Sequence, residues 1–238
     1  MRFVLVHGSW HDERCWKTVR AHLEGEGHEV HTLTLPGNGA KAKPSVTMAE
    51  TAGAVVDLIQ GRDLRDVILV GHSFGGSVVQ CAAPRVAERL KRLVFYNAFV
   101  IENGRSVFSY VPASMAGAFQ ALASPDGTLT LPFEFFRDHL MNDADLDTAR
   151  AAYALMSPEP LARSAESLDL TGFYALRVPR SYLYAFGDNV YPAAEFSWHP
   201  GMSKNLGDFR LVVIPGGHEL MFSDPKSLAR GLVTAGQD

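Results

Sequence analysis

Cysteine is nearly absent from this chain, with only Cys15 and Cys81 among 238 residues. Two thiols cannot frame a disulfide scaffold, so both are expected as buried free thiols. Clusters of His and Cys at zinc-ligand spacing are missing too, and the nine histidines are scattered, which leaves no metal and no cofactor to expect. Long hydrophobic runs are also lacking. The N-terminal run Phe3 to Val6 stops at His7-Gly8, too short for a secretory leader or a membrane span, so the expected setting is the cytoplasm with no membrane partner. Surplus positive charge is equally missing. With 22 Lys and Arg against 26 Asp and Glu, the net charge of -4 excludes phosphate-backbone binding and with it a nucleic-acid partner. The densest basic stretch, Arg85 to Arg92, contains Glu88 and reads as a solvated helix face.

What is present is 47% hydrophobic and 20% charged residues, the proportions of one globular domain. Phe3 to Val6 reads as a strand buried on both faces, followed by a helix carrying Trp16, Val19 and Leu23 and a second strand over Val30 to Leu35. Thr47 with Glu50 forms a capping-box pattern ahead of a helix bearing Val55, Val56 and Ile59. Val67 to Val70 is the next strand, Val78 to Leu90 a helix, and Leu93 to Ala98 a further strand. This alternation predicts an α/β fold with a mostly parallel sheet covered by helices on both faces. After Ile101 the strand pattern lapses until Ser181 to Phe186 and Phe209 to Ile214, with a closing helix near Pro225 to Thr234. Residues 1–101 and 179–238 are therefore expected to build one core. Residues 102–178 are expected to form a helical cap inserted in it, with helices over Phe133 to Met141 and Ala144 to Met156.

Gly71-His72-Ser73-Phe74-Gly75 matches G-x-S-x-G, a pattern that arises by chance in about one chain in ten of this composition. Its setting makes it specific. A four-residue apolar strand ends just before it and a helix begins just after, which is the strand-turn-helix context of a nucleophile elbow with Ser73 at its tip. A serine hydroxyl needs a base to take its proton and an acid to orient that base. His218 lies in a Pro215-Gly216-Gly217 loop directly after a late strand, whereas His199 follows no such strand. Asp188 follows the strand Ser181 to Phe186 through Gly187. Asp208 precedes a strand, Asp224 and Asp169 lack one immediately before them, and the position after Tyr96 holds Asn97 rather than an acid. Backbone N–H groups of Ser9 and Phe74 are the candidate oxyanion donors. His7 reads as a structural residue of the first loop. Trp10, Trp16 and Trp198 read first as packing residues, and Trp10 is also a candidate, with Phe108, Phe119, Phe136 and Glu219, for the wall of a substrate pocket.

The stretches Phe3 to Trp16 (F-V-L-V-H-G-S-W-H-D-E-R-C-W), Val67 to Gly76 (V-I-L-V-G-H-S-F-G-G) and Gly216 to Met221 (G-G-H-E-L-M) resemble the α/β-hydrolase branch of plant methylesterases, hydroxynitrile lyases and related bacterial esterases. The likeness runs through Ser157-Pro158-Glu159-Pro160-Leu161 and covers nearly the whole chain. It implies the α/β-hydrolase fold, a Ser73, Asp188, His218 triad, no cofactor, and a pocket between sheet and cap. The lyases it resembles carry Thr at the position of Gly8 and Lys at that of Glu219. Their absence here favours ester hydrolysis. Asp12-Glu13-Arg14 is more charged than the small and aromatic residues usual there in relatives, which leaves the shape of the entrance open. Glu219 stands next to the base, either acting on its imidazole, repelling acidic substrates or facing solvent. The expected function is a serine hydrolase of a small or medium carboxylic ester. Lyase, C–C bond hydrolysis or elimination chemistry on the same triad is the alternative, and a non-catalytic ligand receptor a third reading. Oligomeric state, including a homodimer, stays open.

Overall fold

The computed structural model describes the chain apart from residues 42, 192–194 and 238. Its main sheet takes strands β1 (Arg2–Val6), β2 (Glu29–Thr32), β3 (Val67–Ser73), β4 (Leu90–Ala98), β7 (Arg180–Ala185) and β8 (Arg210–Ile214) in the order β2-β1-β3-β4-β7-β8. Every neighbouring pair in it is parallel. The two short strands β5 (Thr128–Leu129) and β6 (Glu159–Pro160) form a separate antiparallel ribbon that the sequence pattern does not announce. The longer helices are α1 (Lys17–Gly25), α2 (Met48–Gly61), α3 (Gly75–Ala82), α4 (Ala113–Leu122), α5 (Leu146–Tyr153) and α6 (Pro225–Gly236).

Pleating sorts the apolar strand residues onto two cores. Val4, Val6 and Leu69 pack with Val55, Val56 and Ile59 of α2 and Val78 and Val79 of α3. Phe3, Leu5, Ile68 and Val70 pack on the other face with Val19 and Leu23 of α1 and Leu228 and Leu232 of α6. Continuous apolar runs thus serve strands covered on both sides, as a parallel sheet requires. The edge strands depart: Leu211 and Val213 of β8 are half exposed, and β2 buries only Val30.

Local chemistry sets the element ends. Thr47 accepts from the Glu50 N–H at 3.1 Å while the Glu50 carboxylate accepts from the Thr47 N–H at 2.8 Å, closing the expected capping box of α2. The helix predicted over Val78 to Leu90 starts earlier, at Gly75, and gives way at Ala83 to a 3-10 segment because Pro84 lacks the N–H that would continue it. Arg92 is buried on β4 rather than on a solvated helix face, its guanidinium 3.3 Å from the Ser181 hydroxyl.

Between β4 and β7 the chain builds a third cluster from Phe119, Leu129, Leu131, Phe136, Leu140 and Met141. The helix predicted over Phe133 to Met141 is one α-turn, Phe133–Phe135, running into a π-turn, Phe136–Leu140, with the Met141 N–H bonded to the Phe136 carbonyl at 2.9 Å.

Because the strands are parallel, the loops after β1, β3, β4, β7 and β8 all leave from one edge. The chain moves outward from β1 to β2 and then returns to the other side with β3, so this reversal places the loop after β1 beside the end of β3. Ile68→Ala removes a fully buried side chain near the start of β3. It is expected to cost about 2–5 kcal/mol, read as a lower urea midpoint at unchanged slope.

Candidate active site

Ser73 ends β3 and holds a left-handed backbone, φ 51°, before α3 begins at Gly75. The strained turn lifts its side chain above the sheet edge. A Cβ at position 75 would lie 2.7 Å from the carbonyl oxygens of Val6 and His7, so only glycine lets α3 approach β1 this closely. Gly8 is under the same constraint, since a Cβ there would sit 2.9 Å from the Cβ of Ser73 and 3.1 Å from Nδ1 of His72.

His218 and Asp188 meet across the loops after β8 and β7. The imidazole Nδ1 and the carboxylate Oδ2 are 2.5 Å apart, and both side chains are buried. Asp188 is itself held on both oxygens. The Val190 N–H donates to Oδ1 at 2.8 Å, and Asn97 Nδ2 donates to Oδ2 at 2.6 Å. Asn97, with φ 32°, also donates to the Ala185 carbonyl and accepts from the Ala185 N–H, so it ties the end of β4 to the acid's strand. The position after Tyr96, set aside in the sequence because it is not an acid, thus orients the Asp188 carboxylate.

The His218 backbone and ring are equally fixed. Its carbonyl accepts from the Tyr96 hydroxyl at 2.7 Å and from His72 Nε2 at 3.1 Å. Trp198 stacks on the imidazole at 5.2 Å and 17°, with Phe99 and Tyr191 packed edge-on against the indole. Trp198 is therefore more than a packing residue. Asn142 and Asp143 touch both loops from outside: Asn142 Nδ2 donates to the Gly187 carbonyl at 2.9 Å, and Asp143 Oδ2 accepts from the Gly217 N–H at 2.7 Å. Burial alone lowers the pKa of His218, but the charge and hydrogen bond of Asp188, aided by the charge of Glu219, outweigh it and hold the imidazole above its ordinary 6.5. His72 goes the other way, burial keeping it well below 6.5. Burial likewise takes His7 down to about 3, and its neutral ring spans Gly8 O at 2.8 Å and the Leu35 N–H at 3.0 Å, the structural role expected of it.

Ser73 and His218 open on a cavity walled mainly by apolar and aromatic side chains. Trp10, Phe108 and Phe119 belong to the wall, as expected, and Ser9 reaches it. Two expectations fail. Phe136 is fully buried in the cluster beside Tyr153, and Phe135 and Leu140 line the cavity instead. The π-turn explains this, because its five-residue hydrogen-bonding interval puts residues 135 and 140 on one side. Glu219 is neither pocket wall nor solvent-facing. It is 1% exposed and pairs through Oε1 with His11 Nε2 at 3.1 Å. Its burial would raise the carboxyl pKa, but the charges of His11 and His72 and the His11 hydrogen bond prevail and bring it to about 2. His72, His218 and Glu219 offer one donor atom each within 4.8 Å of one another. Asp188 takes His218 Nδ1 and His11 takes Glu219 Oε1, whereas His72 Nδ1 and Glu219 Oε2 are buried without a hydrogen-bond partner.

Of the competing acids, Asp224 caps α6 and Asp169 accepts from the Thr171 N–H, both away from the cavity wall. Phe74, whose N–H is the second candidate oxyanion donor, is the N-cap of α3, where backbone N–H groups lack intrahelical partners. Cys15 is buried and Cys81 half-buried, and both are unpaired. No helix among the described residues is long and apolar enough to cross a membrane.

Against known proteins, the sequence matches the Alpha/beta hydrolase family over residues 3–230. A carbendazim hydrolyzing esterase of Nocardioides sp. (strain SG-4G) is 33% identical, aligned over 98% of this chain and 99% of that protein. An alpha-hydroxynitrile lyase of Arabidopsis thaliana is 26% identical over 99% of this chain and 97% of its own. Among solved structures, an extracellular alpha/beta-hydrolase of a Paenibacillus species, described as sharing structural and functional homology with tobacco salicylic acid binding protein 2, superposes with a TM-score of 0.97. It is 41% identical, with 100% of both chains covered.

Glu219→Gln preserves shape while deleting a negative charge that stabilises the His218 imidazolium. The acid limb of kcat/KM against pH is expected to move to lower pH in this variant. A limb that stays in place or moves up would show that the charge does not reach the base.

Proposed function

The chain belongs to the alpha/beta hydrolase family and is a carboxylic ester hydrolase, and from that premise we propose that Ser73, His218 and Asp188 carry its reaction. The observation that supports this reading most is the 2.5 Å contact between His218 and Asp188 at the wall of the cavity that Ser73 also lines. Ser73 Oγ attacks the ester carbonyl as its proton passes to His218 Nε2, while Asp188 holds Nδ1–H and steadies the imidazolium. The N–H groups of Ser9 and Phe74 receive the oxyanion. Collapse breaks the C–O bond, the alkoxide takes the proton from His218, and the acid half stays on Ser73. Water then gives a proton to His218 as it attacks the acyl carbon, and the acid and free Ser73 return.

A compact cavity with a mainly apolar and aromatic wall suits a small or medium ester. Residues 102–178 serve as the cap that supplies Phe108, Met115, Phe119 and Phe135 to its wall. Ester cleavage is favoured over lyase chemistry on two observations. The space beside Ser73 at Gly8 admits no side chain without displacement, and the residue after His218 is a sequestered carboxylate. The unpaired thiols support a reducing, cytoplasmic setting, although the Paenibacillus relative is described as extracellular.

Ser73→Ala is expected to abolish the burst of p-nitrophenol from p-nitrophenyl acetate and to lower turnover by roughly a millionfold. The same variant should not take up a fluorophosphonate probe. Full activity or labelling in its absence would remove Ser73 as nucleophile.

A further inference from the structure

A buried ion pair from the insert lies behind both candidate oxyanion donors. Glu159, on β6, is 1% exposed and Arg163 is fully buried. Glu159 Oε1 accepts from Arg163 Nη2 at 2.7 Å and Nε at 3.2 Å, and Oε2 accepts from Asn38 Nδ2 at 2.8 Å and from the backbone N–H of Trp10 at 2.9 Å. Arg163 also donates to Asn38 Oδ1 at 2.6 Å and to the Pro36 carbonyl at 2.8 Å.

Two of these contacts bear on the donors themselves. Trp10 sits in the left-handed region, φ 64°, a conformation a tryptophan adopts only when its surroundings fix it. Its N–H is taken by Glu159 and its carbonyl by the Ser157 N–H at 2.8 Å, so the segment 157–159 grips both sides of the residue that follows Ser9. On the other side, the Arg163 guanidinium carbon lies 4.6 Å from the ring centroid of Phe74. One ion pair thus seats the turn after β1 and the first residue beyond the nucleophile.

We propose that Glu159 and Arg163 are positioning residues for the oxyanion hole, setting the spacing and aim of the Ser9 and Phe74 N–H groups. The proposal rests on the ester-hydrolase reading of the same site. A buried ion pair is a poor way to gain stability, because desolvation cancels most of the attraction and an apolar pair does as well. It does fix geometry, since each charge tolerates only the arrangement that satisfies its hydrogen bonds. Glu159 forms part of the cavity wall, yet both of its oxygens are occupied by protein donors, so it acts through Trp10 rather than on substrate.

The test compares wild type with Glu159→Gln and Arg163→Lys, using p-nitrophenyl acetate turnover and the inhibition constant of an aryl trifluoromethyl ketone, which forms a tetrahedral oxyanion adduct on a serine. Both variants are expected to lose roughly 10- to 100-fold in kcat with KM within about threefold, the scale of a displaced oxyanion donor. Adduct affinity per folded molecule is expected to fall in proportion. A merely structural role would lower the melting temperature and the titratable active fraction but leave adduct affinity per active site unchanged, and that result overturns the proposal. If Glu159→Gln does not fold, Arg163→Lys decides alone, because it keeps the charge and loses the planar fork and the stacking on Phe74. Wild type that forms no adduct at all overturns the underlying hydrolase reading instead.

Discussion

A charge taken out of water must be offset by partners the protein supplies, and this site buries three carboxylates close to one cavity. Asp188 is held by His218, Asn97 and the Val190 N–H. Glu219 is held by His11 on one oxygen alone, and Glu159 by Arg163, Asn38 and Trp10 on both. Each draws at least one partner from a segment far off in the chain, Asn97 for Asp188, His11 for Glu219 and Asn38 and Trp10 for Glu159, so each bears on where those segments lie. The loops after β1, β4, β7 and β8 owe their relative placement to these contacts as much as to the sheet. The aromatic wall then fills the space they define.

The scaffold was legible because its signals are local. Four-residue apolar runs, the capping box at Thr47 and the Gly-Gly turn before His218 depend on residues close in sequence, and the strands and helices lie where those patterns put them to within a few residues. The proposed Ser73, Asp188 and His218 come from the same logic, Ser73 ending one strand of the parallel sheet and Asp188 and His218 following two others. What stayed hidden depends on contacts across the chain. Asn97 could be noticed only as a missing acid, because its link to Asp188 spans 91 residues. The exchange of Phe136 for Phe135 on the cavity wall follows from a π-turn, which periodicity at 3.6 residues cannot reveal. Glu219 was undecidable because the direction of a residue after a turn is set by what receives it, and His11 lies 208 positions away.

The same geometry bears on why relatives of similar fold divide between ester cleavage and carbon–carbon lysis. Beside Ser73 the space is closed by the approach of residue 8 to the nucleophile's own Cβ, and next to His218 the extra carboxylate is turned inward toward a histidine. Neither position offers a polar group to a departing fragment in the cavity. The proposed attack and release by serine, imidazole and backbone amides needs no such group.

The contacts of Asn142 and Asp143 with Gly187 and Gly217 carry a kinetic implication. They join the end of the π-turn, whose Leu140 lines the cavity, to the residues immediately before the acid and the base. A hinge motion large enough to lift that segment as a unit would pull on both catalytic loops at once.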